Sequence, residues 1–228
     1  MLAVISGARG RWKAGERMAE LRFPNEGSIP EFLAALASPD DTHGALAAAA
    51  VAGAMGASLL QKVAALPQTL PHADDELTAL VRAAAALARG QEELLETVET
   101  ETAVKLFAAR NMPQASKAER ADRERAIQLA LRAAADVPLE IMRLCERALQ
   151  HAHTVGDRSP RAASTEVELG VMLLDTAFNA ARSILEAKLP VLTDAVHVTS
   201  ISEEIARLSH DAAAAVTAAR SSVRVPPA

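Results

Sequence analysis

The chain has 228 residues, half of them hydrophobic but only 2% aromatic, and carries a net charge of −5. This length is sufficient for one domain with a substantial core. The acidic balance, without a basic stripe interleaved with aromatic residues, disfavours nucleic-acid binding. Alanine, leucine, glutamate and arginine dominate and are good helix formers, and no alternating β-branched and aromatic run indicates a strand. The sequence therefore predicts an all-α fold.

Residues 1–27 are predicted to form a flexible N-terminal extension, because they carry several glycines and basic residues and no apolar face. Residues 28–220 carry the helical patterns and are predicted to form one domain, with a loose tail at 221–228. The apolar start is short and precedes its basic residues, which does not fit a secretory signal. The single cysteine, Cys145, excludes an internal disulfide. We therefore expect a cytoplasmic protein.

An alanine- and glycine-rich stretch follows a short helix predicted over Ile29–Ala37, whose N-cap is Ser28. This stretch, residues 44–66, has a smooth surface that lets neighbouring backbones approach closely. It is predicted to be the central, nearly buried helix of an up-and-down bundle. Its apolar run approaches the length of a membrane span, about 17 residues. Because Gln61 and Lys62 end the run, no membrane span is expected.

The middle of the chain predicts two long helical segments. Residues 74–109 have the spacing of one amphipathic helix, in which Gly90 is predicted to permit a kink. Ser116 and Glu119 have the spacing of a capping box that starts the next helix. Pro138 is predicted to bend that helix or split it in two, because its ring clashes with the carbonyl four residues earlier.

Two more helices are predicted after a loop at residues 154–160. They cover about residues 164–189 and 200–220, each with apolar residues at helical spacing, and Pro190 ends the first of them. Together the patterns predict a single-domain, up-and-down helical bundle with an Ala/Gly-rich central helix.

Few residue patterns indicate chemistry by themselves. His151 and His153 are two residues apart and so point to different sides of a helix, unlike an i,i+4 ligand pair, and no metal site is expected. The acidic stretch at residues 92–101 has two interpretations. It is either a solvated helix face, or it supplies a carboxylate whose pKa is raised in a partly apolar cleft and which transfers protons near neutral pH.

Three segments resemble one known family. FLAALAS (32–38), THGALAAAAVAGAMGASL (42–59) and AIQLALRAAADVPLEIMRLCERAL (126–149) are similar to segments of the cyclodeaminase/cyclohydrolase family of folate one-carbon metabolism. That family includes the cyclodeaminase half of formiminotransferase-cyclodeaminase and the methenyltetrahydrofolate cyclohydrolases. The resemblance covers roughly residues 28 to 215, in the helical order derived above.

The resemblance implies a catalytic residue. The family's catalytic aspartate lies fourteen residues before the proline of a conserved pair, and here Glu99 occupies that position ahead of Pro113. The change keeps the carboxylate and lengthens its reach. Glu99 is therefore the implied acid–base group.

The resemblance also implies substrate-binding positions. The family's T-P-G-G-G turn reads T-H-G-A-L here, so only its threonine and one glycine are kept. Two later family positions, a serine near the start of one helix and an asparagine near its end, are serine and arginine here. The residues implied to bind substrate are Thr42, His43, Gly44, Ser164 and Arg182.

Two functions of different kind follow from this resemblance. The first is an enzyme, a methenyltetrahydrofolate cyclohydrolase or a formiminotetrahydrofolate cyclodeaminase, acting as a homodimer on a folate-type substrate with no metal or separate cofactor. The second is a non-catalytic paralogue that binds a pterin or folate or serves as a scaffold. This sequence lacks two glycines of the family's turn and the family's basic segment after the central helix, which favours the non-catalytic paralogue. The carboxylate of Glu99 favours the enzyme.

Overall fold

The computed structural model describes residues 29–38, 44–66, 74–97 and 102–222, and the regular structure within these ranges is helical. It contains α1 (Ile29–Ala37), α2 (Ala45–Ala64), α3 (Asp74–Glu96), α4 (Thr102–Arg110), α5 (Lys117–Arg158), α6 (Ser164–Lys188) and α7 (Ala195–Ser222). Single 3₁₀ turns precede and follow α6. The predicted all-α fold is confirmed. The predicted extension at residues 1–27 lies outside the described residues.

Most helices lie where the sequence patterns predict them, but several bounds differ. Helix α5 continues to Arg158, through most of the predicted loop at residues 154–160, and α7 begins at Ala195, about five residues before the predicted start. The segment predicted as one helix over 74–109 contains two, α3 and α4, and α3 is unbroken at Gly90. The helix that starts at the capping box is not split at Pro138, because α5 continues through it for 42 residues. Pro138 is buried, and α5 as a whole packs against α2, α3, α4, α6 and α7. Burial of the helix on both sides offsets the hydrogen bond that the proline removes.

Pairs of contacting residues show whether neighbouring helices are parallel or antiparallel. On α2, position 53 faces Ala177 and Leu60 faces Gly170, so α2 and α6 are antiparallel. Helices α3 and α5 are also antiparallel, since Glu93 lies 3.4 Å from Arg147 near one end and Glu76 lies 3.7 Å from Arg158 near the other.

The last helix, α7, packs parallel to α5. Arg132 contacts Asp194 at 2.9 Å, and Arg143 contacts Glu204 at 2.8 Å eleven residues further along. The Arg143 guanidinium lowers the pKa of the Glu204 carboxyl through this hydrogen bond. The ion pair between Arg143 and Glu204 therefore stabilises the fold fully above the ordinary pKa of a glutamate. This stabilisation is lost as the pH falls through the lowered pKa of Glu204.

Helix α2 is smooth because it touches α6 backbone to backbone. A Cβ atom at Gly56 would lie 2.7 Å from the Gly170 carbonyl oxygen, and one at Gly53 would lie 3.2 Å from Cys145 Sγ and from Leu94. Cys145 itself is fully buried, and burial raises the pKa of its thiol to about 12. The cysteine is thus a packed core side chain, not a reactive thiol.

Helix α2 also has the length and apolar composition of a membrane span, with a mean hydropathy of 1.4. Half of that stretch is buried among other helices of the bundle. Helix α2 is thus a core helix of the bundle, as predicted, but it is half buried and not nearly buried.

Candidate active site

Several helix ends meet at one end of the bundle. Gly53, Leu94, Cys145 and Ala177 lie at the same height in the core. From this height α2 runs nine residues back to Gly44, about 14 Å at 1.5 Å per residue. Helix α6 runs about 16 Å in the same direction to its last residue, while α3 ends after about half a turn. The N-terminus of α2 and the C-termini of α3 and α6 therefore belong to the same end.

Gly44 is the N-cap residue of α2. Its backbone is extended, with φ −134° and ψ −162°, and its carbonyl accepts from the Ala48 amide at 3.2 Å. Gly44 has no side chain to cap the first amides of the helix, and it is exposed. The first N–H groups of a helix carry partial positive charge and bind electron-rich atoms. This helix end can therefore hold a polar edge of a ligand.

Three of the implied site residues, Thr42, His43 and Glu99, lie outside the described residues. Thr42 and His43 directly precede Gly44 in the chain, and Glu99 lies between the end of α3 and the start of α4. On the α3 side, the Thr97 hydroxyl donates to the Leu94 carbonyl at 2.7 Å. Their roles stay predictions. The N-terminus of α2, which follows Thr42 and His43, and the C-terminus of α3, which precedes Glu99, lie at the same end of the bundle.

Arg182 lies on α6, five residues from Ala177 toward the same end. Its Nε is 3.9 Å from Glu186 Oε1, too far for a hydrogen bond, and is buried without a hydrogen-bond partner among the described residues. A buried guanidinium nitrogen in this state is available to an acceptor on a ligand.

Ser164 lies at the opposite end of the bundle. It begins α6, two residues before Glu166, whose carboxylate lies 3.5 Å from Lys62 Nζ. Lys62 is eighteen residues along α2 from Gly44, about 27 Å. Within one chain, Gly44 and Arg182 therefore lie toward the same end of the bundle, and Ser164 lies at the other end.

The described part of the acidic stretch behaves as a solvated face. Glu92, Glu93 and Glu96 are exposed, and Glu93 is paired with Arg147 at 3.4 Å. Within the described ranges, no group of three His, Cys, Asp or Glu side chains could hold a metal ion. His153 is exposed, with Nδ1 3.2 Å from the Ala218 carbonyl oxygen.

A further residue at the active-site end is not apparent from the sequence pattern. Lys188 is the last residue of α6, where a lysine is ordinarily a favourable partner of the helix C-terminus. The structure leaves it partly buried, and burial lowers the pKa of its amine. A lysine in this state can transfer a proton closer to neutral pH than an exposed one. Only the three-dimensional packing of α6 reveals it.

Comparison with known proteins decides the family. The sequence model described as formiminotransferase-cyclodeaminase matches residues 28–207, from before α1 into α7. The chain belongs to this formiminotransferase-cyclodeaminase family. The resemblance drawn from the three sequence segments is thereby confirmed. The family match spans both Gly44 and the segment that carries Glu99.

Two relatives of this family member are informative. Methenyltetrahydrofolate cyclohydrolase of Methylorubrum extorquens is 33% identical over 135 residues, which are 58% of this chain and 64% of the relative. The match thus covers less than two thirds of the relative's length. The crystal structure of formiminotetrahydrofolate cyclodeaminase from Thermotoga maritima has a TM-score of 0.77 with this family member, over 87% of this chain and 96% of that one. At 18% identity this second comparison establishes the shared fold.

Proposed function

We propose that the protein is an enzyme of folate one-carbon metabolism that acts on a C–N bond of a tetrahydrofolate derivative. The observation that carries this proposal is the family match over residues 28–207. It includes all six sequence-derived site residues, four of which lie at the N-terminus of α2 or in the segment between α3 and α4. Methenyltetrahydrofolate cyclohydrolase is the favoured activity, because the curated relative has that activity in its name.

The cyclohydrolase reaction needs one group that acts first as a base and then as an acid. Glu99 removes a proton from water, whose oxygen adds to the methenyl carbon between N5 and N10. The same proton then goes to N5 as the bond between that carbon and N5 breaks. The added hydroxyl loses its own proton to solvent, which leaves 10-formyltetrahydrofolate. The amides at the N-terminus of α2 hold a polar edge of the ligand during both steps.

The second activity within the family is the cyclodeaminase reaction. There N10 attacks the carbon of the protonated formimino group attached to N5, and the tetrahedral intermediate expels ammonia to give the methenyl cation. A single carboxylate again suffices, because it takes the proton of N10 and returns it to the leaving nitrogen. Neither reaction in this form uses a metal or a separate cofactor, and the proposed location is the cytoplasm.

An assay of ammonia release separates the two activities. The purified protein is incubated with 5-formiminotetrahydrofolate and, separately, with 5,10-methenyltetrahydrofolate. A cyclohydrolase produces 10-formyltetrahydrofolate from the second compound and releases no ammonia from the first. Release of ammonia at an enzymatic rate would replace the cyclohydrolase assignment by the cyclodeaminase one. The non-catalytic alternative requires that neither compound be converted.

We further propose that the protein is a homodimer that buries an apolar face shared by α2 and α6. Met55 and Leu59 lie one turn apart on α2, and Leu169 and Leu173 lie one turn apart on α6, beside the Gly56 contact. Met55 is 55% exposed and Leu169 is 45% exposed. Two antiparallel helices form a surface that a two-fold axis can pair with itself, so a second copy is the matching occupant.

Replacing Met55 by glutamate tests this dimer. The charge would lie in an apolar interface without a partner, and we expect the dissociation constant to rise by about 100-fold or more. Light scattering coupled to size-exclusion chromatography measures the mass. Leu77→Glu on α3 is the matched control, since Leu77 is 52% exposed but lies on another helix. A Met55→Glu protein that remains dimeric, or a wild type that is monomeric, contradicts the proposed interface.

A further inference from the structure

A cleft of about 390 Å³ lies between α3 and α5. Its volume is within the usual range of small-molecule pockets, about 300–1,000 Å³. One wall comes from α3 and the other from α5, which are antiparallel here. The lining residues are Ala86, Arg89, Gly90 and Glu93 of α3 and Leu144, Arg147, Ala148 and His151 of α5.

The cleft contains one uncompensated positive charge. Arg147 is held by two carboxylates, those of Glu93 and Glu140, each at 3.4 Å. Arg89 forms no ion pair within the part of the chain that the structure describes. Burial, and secondarily the charge of Arg89, lower the pKa of His151. The charge left to a ligand is therefore that of the Arg89 guanidinium, beside a neutral imidazole.

The remainder of the cleft is apolar and open. Leu144 and Ala148 are buried and supply apolar side-chain surface to the α5 side. On the α3 side, a Cβ atom at Gly90 would meet no atom within 4 Å, so the bare backbone leaves room for a ligand to lie against it. A flat apolar ring that is linked to a separate carboxylate group matches this combination of surfaces.

The position of the cleft relates it to the active-site end of the bundle. Glu93 is four residues before Thr97, about 6 Å along α3, and the chain reaches Glu99 two residues later. The cleft therefore begins about one helical turn before the segment that carries the implied catalytic carboxylate. A ligand that reacts at that segment can extend along α3 into the cleft.

We propose that this cleft binds the p-aminobenzoyl-glutamate part of the substrate, with Arg89 paired to a glutamate carboxylate and the ring lying over Gly90 and Leu144. The proposal rests on the proposed function, because it takes the substrate to be a tetrahydrofolate. The neutral His151 donates a hydrogen bond to the same carboxylate. Arg89 is thus a substrate-binding residue on α3, and nothing in the sequence pattern distinguishes it from the other exposed arginines of the chain.

Binding of p-aminobenzoyl-L-glutamate to the full chain tests the cleft without any turnover. Calorimetry should detect binding to the wild type, about tenfold weaker binding to Arg89→Gln, and no detectable binding of L-glutamate or p-aminobenzoate alone. Arg82→Gln is the matched control. It removes an exposed arginine of the same helix, two turns before Arg89 and outside the cleft, and should bind as the wild type does. Equal binding by the wild type and Arg89→Gln, or equal loss in both variants, overturns the proposal.

Kinetics keep the failure of this proposal distinct from the failure of the proposed function. With methenyltetrahydrofolate, Arg89→Gln should raise KM about tenfold and change kcat by less than twofold, as expected for a contact made equally in ground and transition states. An active wild type whose KM does not respond to Arg89→Gln overturns the cleft alone. An inactive wild type that binds p-aminobenzoyl-L-glutamate through Arg89 overturns the proposed reaction and supports the cleft.

Discussion

Replacing Glu99 by glutamine should lower kcat by about 10²–10⁴, the usual contribution of a positioned acid–base group. The amide has the size of the carboxylate but cannot take up a proton from water. We expect the melting temperature to stay within about 2 °C of the wild type, because the substitution removes no buried apolar surface. Steady-state kinetics with methenyltetrahydrofolate and circular dichroism on the same preparation measure both quantities.

The matched control for Glu99 is Glu96. It is an exposed carboxylate at the end of α3, three residues earlier in the same acidic stretch. Glu96→Gln should keep kcat within about twofold, as a surface charge change does. Loss of turnover in Glu96→Gln together with full activity in Glu99→Gln would mean that the catalytic carboxylate lies one turn earlier. Equal and small effects would mean that neither carboxylate takes part.

The largest effect on stability is expected at Gly56. Its added Cβ would lie 2.7 Å from the Gly170 carbonyl oxygen and 2.9 Å from Leu174, so α2 and α6 must move apart. Overpacking of this kind costs about 1–3 kcal/mol or more. We expect Gly56→Ala to lower the melting temperature by several degrees, since 1 kcal/mol corresponds to about 2–4 °C for a domain of this size. Gly56→Leu should fail to fold.

Gly90 provides the control for Gly56. It also lies inside a helix, but an added Cβ atom meets nothing within 4 Å. Gly90→Ala should therefore stabilise the protein by about 0.5–1 kcal/mol, because alanine has the better helix propensity and loses less entropy on folding. Thermal unfolding of the two variants gives opposite shifts if the α2–α6 contact is as close as described. A Gly56→Ala protein at least as stable as the wild type would contradict that contact.

Helix type and approximate bounds could be predicted because they depend on local spacing. The Ser116 capping box is present as predicted, with the Ser116 hydroxyl accepting from the Glu119 amide at 3.1 Å. Pro138 shows the limit of local reasoning. Its effect depends on the helices that pack against α5, and several of these come from distant parts of the chain.

The site could be predicted only in part from sequence. Spacing placed Gly44 at the start of α2, but it could not tell that Ser164 begins a helix at the other end of the bundle. The position of each helix along the bundle axis is set by side-chain packing, such as that of Leu60 against Gly170. A periodic sequence pattern does not encode this packing. The same holds for Arg89 and Lys188, whose surroundings come from neighbouring helices.

We propose that this family member converts a folate-bound one-carbon unit. The most direct test mixes the purified protein with 5,10-methenyltetrahydrofolate and follows its near-ultraviolet absorbance, which disappears when the ring between N5 and N10 opens. The proposed function predicts loss of absorbance well above the rate in buffer, proportional to protein concentration and abolished by Glu99→Gln. A rate equal to that in buffer, with a folded wild-type protein, would contradict the cyclohydrolase assignment.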